Sequence, residues 1–291
     1  MTAKDAVGVT TEKDMDVKEV IKGRYDACAE QGGGEGAVCC AGDTPASPSF
    51  AAEHGLYSRE ELSLVPKIAF TLSRGCGNPA GFADLQPGEV VVDFGCGAGI
   101  DVVLAAHKVG PVGKVVGVDM TPHMIERAKQ SVAKAHVAET TEFLLADLEQ
   151  VELPDGFTDV VISNCVINLC PDKEAVYREA FRILKPGGRL AISDIVYCEE
   201  IDPQVRERFQ ASWVGCVGGA IEEDRYFQIL QDVGFGHVEI VARHPLLAKE
   251  LEQMACCPGP EFTPAPAKDD IASVEGKVIS IKFRTGKPKI H

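Results

Sequence analysis

Residues 91–99, VVDFGCGAG, restrict the fold of this 291-residue chain more than any other segment. An apolar, β-branched run leads directly into three glycines, and residues 100–109 then carry a helical pattern. Glycines let the backbone turn sharply and approach a ligand closely. A strand, a glycine turn and a helix in this order are typical of the ligand-binding edge of an open α/β sheet. We therefore predict such a sheet, with a small molecule bound at this loop.

The chain beyond this loop alternates between strand and helix patterns. Threonine at position 121 as N-cap and proline at 122 indicate the start of one helix. Strands alternating with helices predict a doubly wound, Rossmann-like sheet with right-handed crossovers. The predicted strands are 89–94, 114–118, 141–145, 158–162 and 189–195, and the predicted helices are 100–109, 122–135 and 172–184.

The two ends of the chain have weaker patterns. A short helix is predicted near 17–29, and a second set of elements follows residue 199. That set comprises helices at 203–214 and 222–233 and strands at 237–241 and 277–283, with a Pro-rich loop at 258–266. We expect a flexible cysteine-containing segment at 1–55, a cofactor-binding domain at 56–200 and a smaller α+β region at 201–291.

Charge and cysteine content restrict the class of function. There are 29 Lys and Arg against 44 Asp and Glu, a formal charge of −15, which disfavours nucleic acid or an anionic membrane as partner. The first 20 residues are polar, and no apolar run could span a bilayer. We expect a cytoplasmic monomer with reduced thiols. Its eleven cysteines include no CxxC pair, so we expect no structural metal.

The glycine loop has the spacing G-x-G-x-G rather than the G-x-G-x-x-G of dinucleotide sites. Asp93 precedes the first glycine by two residues, and Asp119 ends the second strand. An acid about 20 residues beyond such a loop has the spacing expected of a ribose acceptor. The pattern favours a ligand that consists of a nucleoside joined to an amino acid. The alternative is that the glycines form a turn in another kind of α/β protein.

With KPGG at 185–188, these features resemble class I S-adenosylmethionine-dependent methyltransferases over roughly residues 85–200. The resemblance implies that the glycine loop lines the methionine part of the cofactor and that Asp119 binds the ribose hydroxyls. Residues after the third strand would flank adenine, and those after the fourth would lie beside the transferable methyl. The implied cofactor residues are Asp93, Gly95, Cys96, Gly97, Gly99, Asp119, Met120, Asp147, Leu148 and Asn164.

Cys165 lies just past the fourth strand, where a side chain tends to face the substrate. A cysteine is a poor choice of general base for an oxygen or nitrogen acceptor, whereas soft thiolates bind thiophilic ions. The runs 163–169 (SNCVINL), 171–173 (PDK) and 215–220 (GCVGGA) resemble the arsenite methyltransferases, as does 75–79 (GCGNP). The likeness covers roughly residues 57–237.

This second resemblance implies transfer of methyl groups from S-adenosylmethionine to thiol-bound trivalent arsenic, which yields methylated arsenicals and detoxifies arsenic. Cys165 and Cys216 would bind As(III) directly, and Cys76 would complete the site. Cys39 or Cys40 would serve in redox steps or substrate capture, with thioredoxin or glutathione as reductant. Arsenic would arrive as a thiol complex.

Several alternatives stay open. The chain could be a methyltransferase for an organic small molecule whose thiols fill the core, or a non-catalytic metalloid-binding thiol protein. Arg74 and Gly215 differ from the residues that the animal arsenite methyltransferases have beside the implied site. The roles of residues that surround the arsenic ligands in those enzymes are therefore not assigned to this chain. The remaining thiols are interpreted as core or loop packing, or are left undecided: Cys96, Cys170 and Cys198 in the first group, Cys28, Cys256 and Cys257 in the second.

Overall fold

The computed structural model describes residues 12–31, 56–73, 75–211, 216–255 and 267–289. Within these ranges, seven strands form one sheet in the order β3-β2-β1-β4-β5-β7-β6. β1 to β5 pair in parallel, and β7 lies antiparallel between β5 and β6. This confirms the predicted α/β sheet. The strands are β1 Val90–Phe94, β2 Lys114–Asp119, β3 Thr141–Leu145, β4 Thr158–Asn164, β5 Leu184–Tyr197, β6 Glu239–Pro245 and β7 Val278–Gly286.

Helices cover both faces of the sheet and its ligand-binding edge. In the same ranges they are α1 Glu12–Gln31, α2 Arg59–Leu64, α3 Lys67–Leu72, α4 Pro79–Phe82, α5 Ile100–Val109, α6 Pro122–Lys134, α7 Lys173–Ile183, α8 Pro203–Ala211, α9 Glu223–Val233, α10 Ala248–Ala255 and α11 Lys268–Val274. None of these helices has the length and apolar character needed to cross a membrane.

β1 and the middle of β4, residues 160–162, carry mainly apolar side chains because both faces of these strands are covered. Successive residues of a strand point to opposite faces, and Val91 packs in the cluster with α5 while Val92 packs in the cluster with α7 and α9. Val160 and Val161 divide in the same way. A third cluster covers the carboxyl ends of β4 and β5 and contains Cys165 and Cys216.

The predicted elements between residues 89 and 245 occur at or near their predicted bounds. The largest differences are in three strands: β5 begins at Leu184 rather than at 189, β6 extends to Pro245 rather than 241, and β7 extends to Gly286 rather than 283. The KPGG segment is therefore an irregular part of β5, with Gly187 at a φ of +83°, and the Gly187 N–H donates to the carbonyl of Lys287 on the chain beyond β7. The short helices α2 to α4, α10 and α11 have too few turns to display a periodic pattern.

β7 pairs with β5 along nine residues, so the chain beyond residue 200 continues the sheet of the cofactor-binding region. Because the two strands are antiparallel, the start of β7, residues 278–280, lies beside the carboxyl end of β5. The C-terminal region thereby supplies side chains, such as Ser280, to the edge where the predicted site lies.

Candidate active site

The glycine loop after β1 is held against β2 by its own backbone. The N–H groups of Gly95 and Cys96 both donate to the carbonyl of Val118, at 2.8 and 2.9 Å. Gly95, Gly97 and Gly99 have φ values of +73°, +48° and +88°, a region that favours glycine. A Cβ at Gly95 would lie 2.5 Å from the side chain of Val166. The tight turn therefore requires glycine on steric as well as conformational grounds.

Asp119 fixes the same loop from the end of β2. Its Oδ2 accepts the N–H of Gly97 and its Oδ1 accepts the N–H of Thr121, both at 2.9 Å. Burial raises the pKa of Asp119, and these hydrogen bonds act in the opposite direction. A carboxylate has about four lone-pair positions, so Asp119 keeps the capacity to accept further hydrogen bonds from a ligand.

A cleft of ≈ 970 Å³, counting the solvent-open space at its mouth, lies above the loop. All of the predicted cofactor residues line it except Asp93 and Gly99. Asp93 is buried beneath the loop, where burial and the charges of Asp101 and Asp119 raise its pKa. Gly99 packs against Ala128, which a Cβ would approach to 3.2 Å. These two residues support the loop rather than face the cleft.

α1 contributes to the wall of this cleft. Lys18 forms ion pairs with Asp147 at 2.8 Å and Glu149 at 2.7 Å. Ile21 and Tyr25 of the same helix add apolar surface to the cleft wall. The sequence analysis missed Lys18, because nothing in the weak pattern of the N-terminal segment pairs it with a residue 129 positions away.

Cys165 follows the last residue of β4 and has a φ of +63°. Such a conformation is rare and costly for a residue with a side chain, and it recurs at functional sites. The N–H of Cys165 donates to the carbonyl of Ser193 at 2.8 Å, and its carbonyl accepts the thiol of Cys216 at 2.9 Å. The Cys165 side chain is 4% exposed and lines the cleft.

Cys76 is held through its backbone and its sulfur. Its N–H donates to Asn164 Oδ1 at 3.0 Å, and its carbonyl accepts Ser280 Oγ at 3.0 Å. Its Sγ lies 3.5 Å from Ser193 Oγ. A Cβ at Gly75 would overlap the Asn164 amide, and one at Gly77 would overlap Ser193 Oγ. The close approach of this turn to β4 and β5 explains the glycine on each side of Cys76.

The fold brings Cys76, Cys165 and Cys216 into one cluster, although 51 residues or more separate them in the chain. Burial raises the pKa of Cys165 well above its ordinary value, and the neighbouring thiols of Cys216 and Cys76 raise it further. In the part of the chain that the structure describes, no group of three His, Cys, Asp or Glu side chains is arranged to hold a metal ion. The thiols are thus neighbours without forming a preformed three-ligand centre, and the predicted ligand set stays a prediction.

The other cysteines divide into three kinds. Cys96 and Cys170 are buried and line the cleft, while Cys198 is exposed and donates to the carbonyls of Gly276 and Lys277. The side chain of Cys28 lies outside what the structure describes. So do several other residues that the sequence analysis singled out: Cys39, Cys40, Arg74, Gly215, Cys256 and Cys257.

A buried hydrogen-bond network links the cleft to the Cys76 turn, and the sequence analysis missed it. Asn164 Nδ2 donates to Asp101 Oδ2 at 2.9 Å and to Tyr57 Oη at 3.1 Å. Tyr57 in turn donates to Asp101 Oδ2 at 3.3 Å. Burial raises the pKa of Asp101 to about 6. The available signal was Asp101 itself, an acidic residue within the otherwise apolar run IDVVLAA directly after the glycine loop.

A family model described as "Methyltransferase domain" matches residues 85–234, from before β1 to the end of α9. The chain belongs to this methyltransferase family. An arsenite methyltransferase of Halobacterium salinarum is 41% identical over 239 residues, which cover 78% of this methyltransferase and 59% of the relative. The human arsenite methyltransferase is 32% identical over 174 residues, covering 56% and 46% of the two chains. The matches therefore span about half of each of these relatives.

A solved structure is also similar to this methyltransferase. It is an arsenic(III) S-adenosylmethionine methyltransferase from Chlamydomonas reinhardtii, with a TM-score of 0.59 and 28% sequence identity. The match covers 84% of this chain and 74% of the other.

Proposed function

We propose that this methyltransferase transfers methyl groups from S-adenosylmethionine to trivalent arsenic held by enzyme thiols. The observation that carries the proposal is the packing of Cys76, Cys165 and Cys216 in one cluster beside the glycine-lined cleft. The similarity to arsenite methyltransferases supports it. Methylation of arsenic in a reducing cytosol, with detoxification as its role, agrees with the free thiols of the described cysteines.

The cleft suits S-adenosylmethionine. A Cβ at Gly97 would meet no protein atom within 4 Å, so the loop offers a bare backbone surface at the cleft wall. Asp119 would accept the ribose hydroxyls with its remaining lone pairs, and Asp147 and Leu148 would border the base. When bound, the cofactor supplies a sulfonium methyl, which the lone pair of sulfur-bound As(III) is able to accept.

The protein contributes positioning rather than proton transfer. Each As–S bond replaces a bond from arsenic to its thiol carrier, and the proton of the enzyme thiol leaves with that carrier. Cys165, at the cleft, and Cys216, whose thiol already contacts the Cys165 carbonyl, would hold arsenic facing the cofactor. Alignment of this kind contributes on the order of several kcal/mol without a general base.

Repeated methylation requires a reductant, because methyl transfer formally oxidises As(III) to As(V). Two enzyme thiols, Cys76 and either Cys39 or Cys40, would supply two electrons, lose two protons and form a disulfide. Glutathione or thioredoxin would then reduce that disulfide. Mass spectrometry after a single turnover checks this step, and finding every cysteine still reduced would contradict it.

The main experiment measures arsenite methylation with S-adenosylmethionine and a thiol reductant. We expect Cys165→Ser, Cys216→Ser and Cys76→Ser to lose at least ~100-fold in rate, because serine oxygen is a hard ligand that binds As(III) poorly. Affinity for S-adenosylhomocysteine, measured by calorimetry, should change little. Cys198→Ser is the matched control, because this exposed thiol lies outside the cluster.

The rival functions predict other results. An organic acceptor is a reasonable alternative because a phosphoethanolamine N-methyltransferase of Zea mays is 34% identical over 156 residues, 53% of this chain. Full activity of Cys165→Ser toward any acceptor would favour a methyltransferase for an organic small molecule. Tight arsenite binding by the wild type without turnover would instead indicate a metalloid-binding protein.

A further inference from the structure

We infer that the side-chain amide of Asn164 is the positioning group that sets the distance between Cys76 and Cys165. This inference rests on the proposed function, since it concerns the placement of two of the proposed arsenic ligands. It also changes the role expected of Asn164, which the sequence analysis assigned to cofactor binding.

Asn164 connects to both cysteines. It is the last residue of β4, so its backbone continues directly into Cys165. Its side chain reaches the other ligand: Oδ1 accepts the N–H groups of Cys76 at 3.0 Å and Gly77 at 3.2 Å, and Nδ2 donates to the Gly77 carbonyl at 2.8 Å. A single side chain thus clamps the turn that carries Cys76.

The orientation of the amide is itself determined. Nδ2 faces Asp101 Oδ2 and Tyr57 Oη, two oxygens in a buried environment. Rotation of the amide by 180° would place Oδ1 against the Asp101 carboxylate and Nδ2 against two N–H donors. The network therefore keeps Oδ1 directed at the Cys76 turn.

Asn164 has no hydrogen-bonding capacity left for a ligand. An amide oxygen has two lone pairs, and both are used by Cys76 and Gly77. The two Nδ2 hydrogens already have three acceptors: Gly77, Asp101 and Tyr57. Its position at the cleft wall consequently allows van der Waals contact with a cofactor, whereas its polar atoms serve the protein.

The turn also leaves no space for the amide to shift. A Cβ at Gly75 would overlap Nδ2, Cγ and Oδ1 of Asn164. Any movement of Asn164 would therefore displace the turn, and Cys76 with it. Cys165 and Cys216 would keep their mutual contact, because it depends on the Cys165 carbonyl and not on the Asn164 side chain.

This difference between the cysteines allows a selective test. Arsenite, As(OH)₃, exchanges three hydroxyls for three thiols and releases three waters. Phenylarsenic(III), PhAs(OH)₂, forms only two As–S bonds and releases two waters, so Cys165 and Cys216 suffice for it. We expect Asn164→Ala to weaken arsenite binding by ~10- to 100-fold while phenylarsenic(III) binding changes by less than about threefold, a selective loss of the third ligand.

Calorimetry on the full-length protein supplies both arsenical affinities and the affinity for S-adenosylhomocysteine, which should also be unchanged. Gly75→Ala is a second variant that should give the same selective loss of arsenite binding, because its new Cβ would displace the Asn164 amide. Gly113→Ala is its matched control, since the new Cβ would crowd Val109 at 2.5 Å, far along the chain from the site. Equal weakening of both arsenicals, unchanged arsenite binding, or weaker cofactor binding would each overturn the inference.

The same measurements test the proposed function independently of the role of Asn164. If Cys76→Ser binds arsenite as tightly as the wild type, Cys76 is not a ligand and the three-thiol proposal is wrong. If Cys76→Ser weakens arsenite binding while Asn164→Ala and Gly75→Ala do not, the ligand set stands and only the positioning role of Asn164 is lost.

Discussion

The two walls of the site, the glycine-loop wall and the thiol wall, are built in opposite ways. The glycine-loop wall comes from one continuous stretch, Gly95 to Asp119, and its contacts are mostly backbone hydrogen bonds between neighbouring strands. The thiol wall comes from three distant segments that carry Cys76, Cys165 and Cys216. A continuous strand-loop-helix unit can be recognised from its spacing, whereas the relation between the thiols depends on how the segments pack.

The two polar residues at these walls show the same contrast. Asp119 anchors its loop through two N–H groups and still has lone pairs free for a ligand. Asn164 uses its whole capacity to hold the Cys76 turn. Substitutions at the first wall should therefore act on cofactor binding, and substitutions at the second on arsenic binding.

The largest effect is expected for Gly95→Ala. The new Cβ would lie 2.5 Å from Val166 at a φ of +73°, so the loop must rearrange and cofactor affinity should fall at least ~100-fold in calorimetry. Gly110→Ala is the matched control: its φ is +68°, and a Cβ there meets nothing within 4 Å. With a ψ of −172° this conformation strains any residue with a Cβ, so the variant should cost on the order of 1–3 kcal/mol of stability and leave cofactor affinity unchanged. Similar affinities for the two variants would show that the loop is not the cofactor wall.

A smaller effect is expected for Asp119→Ala, which removes the acceptor for the Gly97 and Thr121 N–H groups. We expect cofactor affinity to fall ~10- to 50-fold and phenylarsenic(III) affinity to stay within about threefold, because the two walls are held independently. Asp155→Ala is the control: it removes an exposed ion pair with Arg182 and should change neither the cofactor affinity nor the phenylarsenic(III) affinity. Loss of arsenical binding in Asp119→Ala would mean that the walls are coupled.

The pH dependence of stability tests the buried network of Asp101, Tyr57 and Asn164, which holds the Cys76 turn. Burial raises the pKa of Asp101 from 3.8 to about 6, so between these values the folded state holds a proton that the unfolded chain has released. The contribution of Asp101 to stability therefore falls as pH rises from about 4 to 6. Asp101→Asn should remove this part of the decline, as measured by urea midpoints across that range. A difference from the wild type that does not vary with pH would contradict the raised pKa.

The smallest effect is expected for Lys18→Ala, which removes the ion pairs of α1 with Asp147 and Glu149. Partly exposed pairs contribute up to about 1 kcal/mol, so cofactor affinity should fall no more than about fivefold, and less at high salt. Lys22→Ala, on the same helix with only a long, exposed contact to Glu19, is the control. An effect of Lys18→Ala larger than that of Asp119→Ala would place the anchor of the cofactor wall on α1.

Local pattern was sufficient for much of the fold. The predicted bounds of helix Ile100–Val109 match the structure, and the predicted start of strand Val90–Phe94 differs by one residue, because an apolar helix and a covered parallel strand each have a distinctive run of residues. The short helices around Cys76 were missed, since elements of four to six residues are set by their packing and caps.

The sequence by itself determined that a glycine loop and Asp119 would form one wall of a cleft and that Cys165 would stand at a strand end facing it. Only the tertiary structure decided that Asp93 and Gly99 lie behind that wall and that Lys18 of α1 lines the cleft and pairs with Asp147. It also decided that the side chain of Asn164 forms hydrogen bonds with the Cys76 turn. The physical reason is that spacing along a chain specifies what neighbouring residues do, while the partners of a buried polar group are chosen by whichever distant segments pack around it.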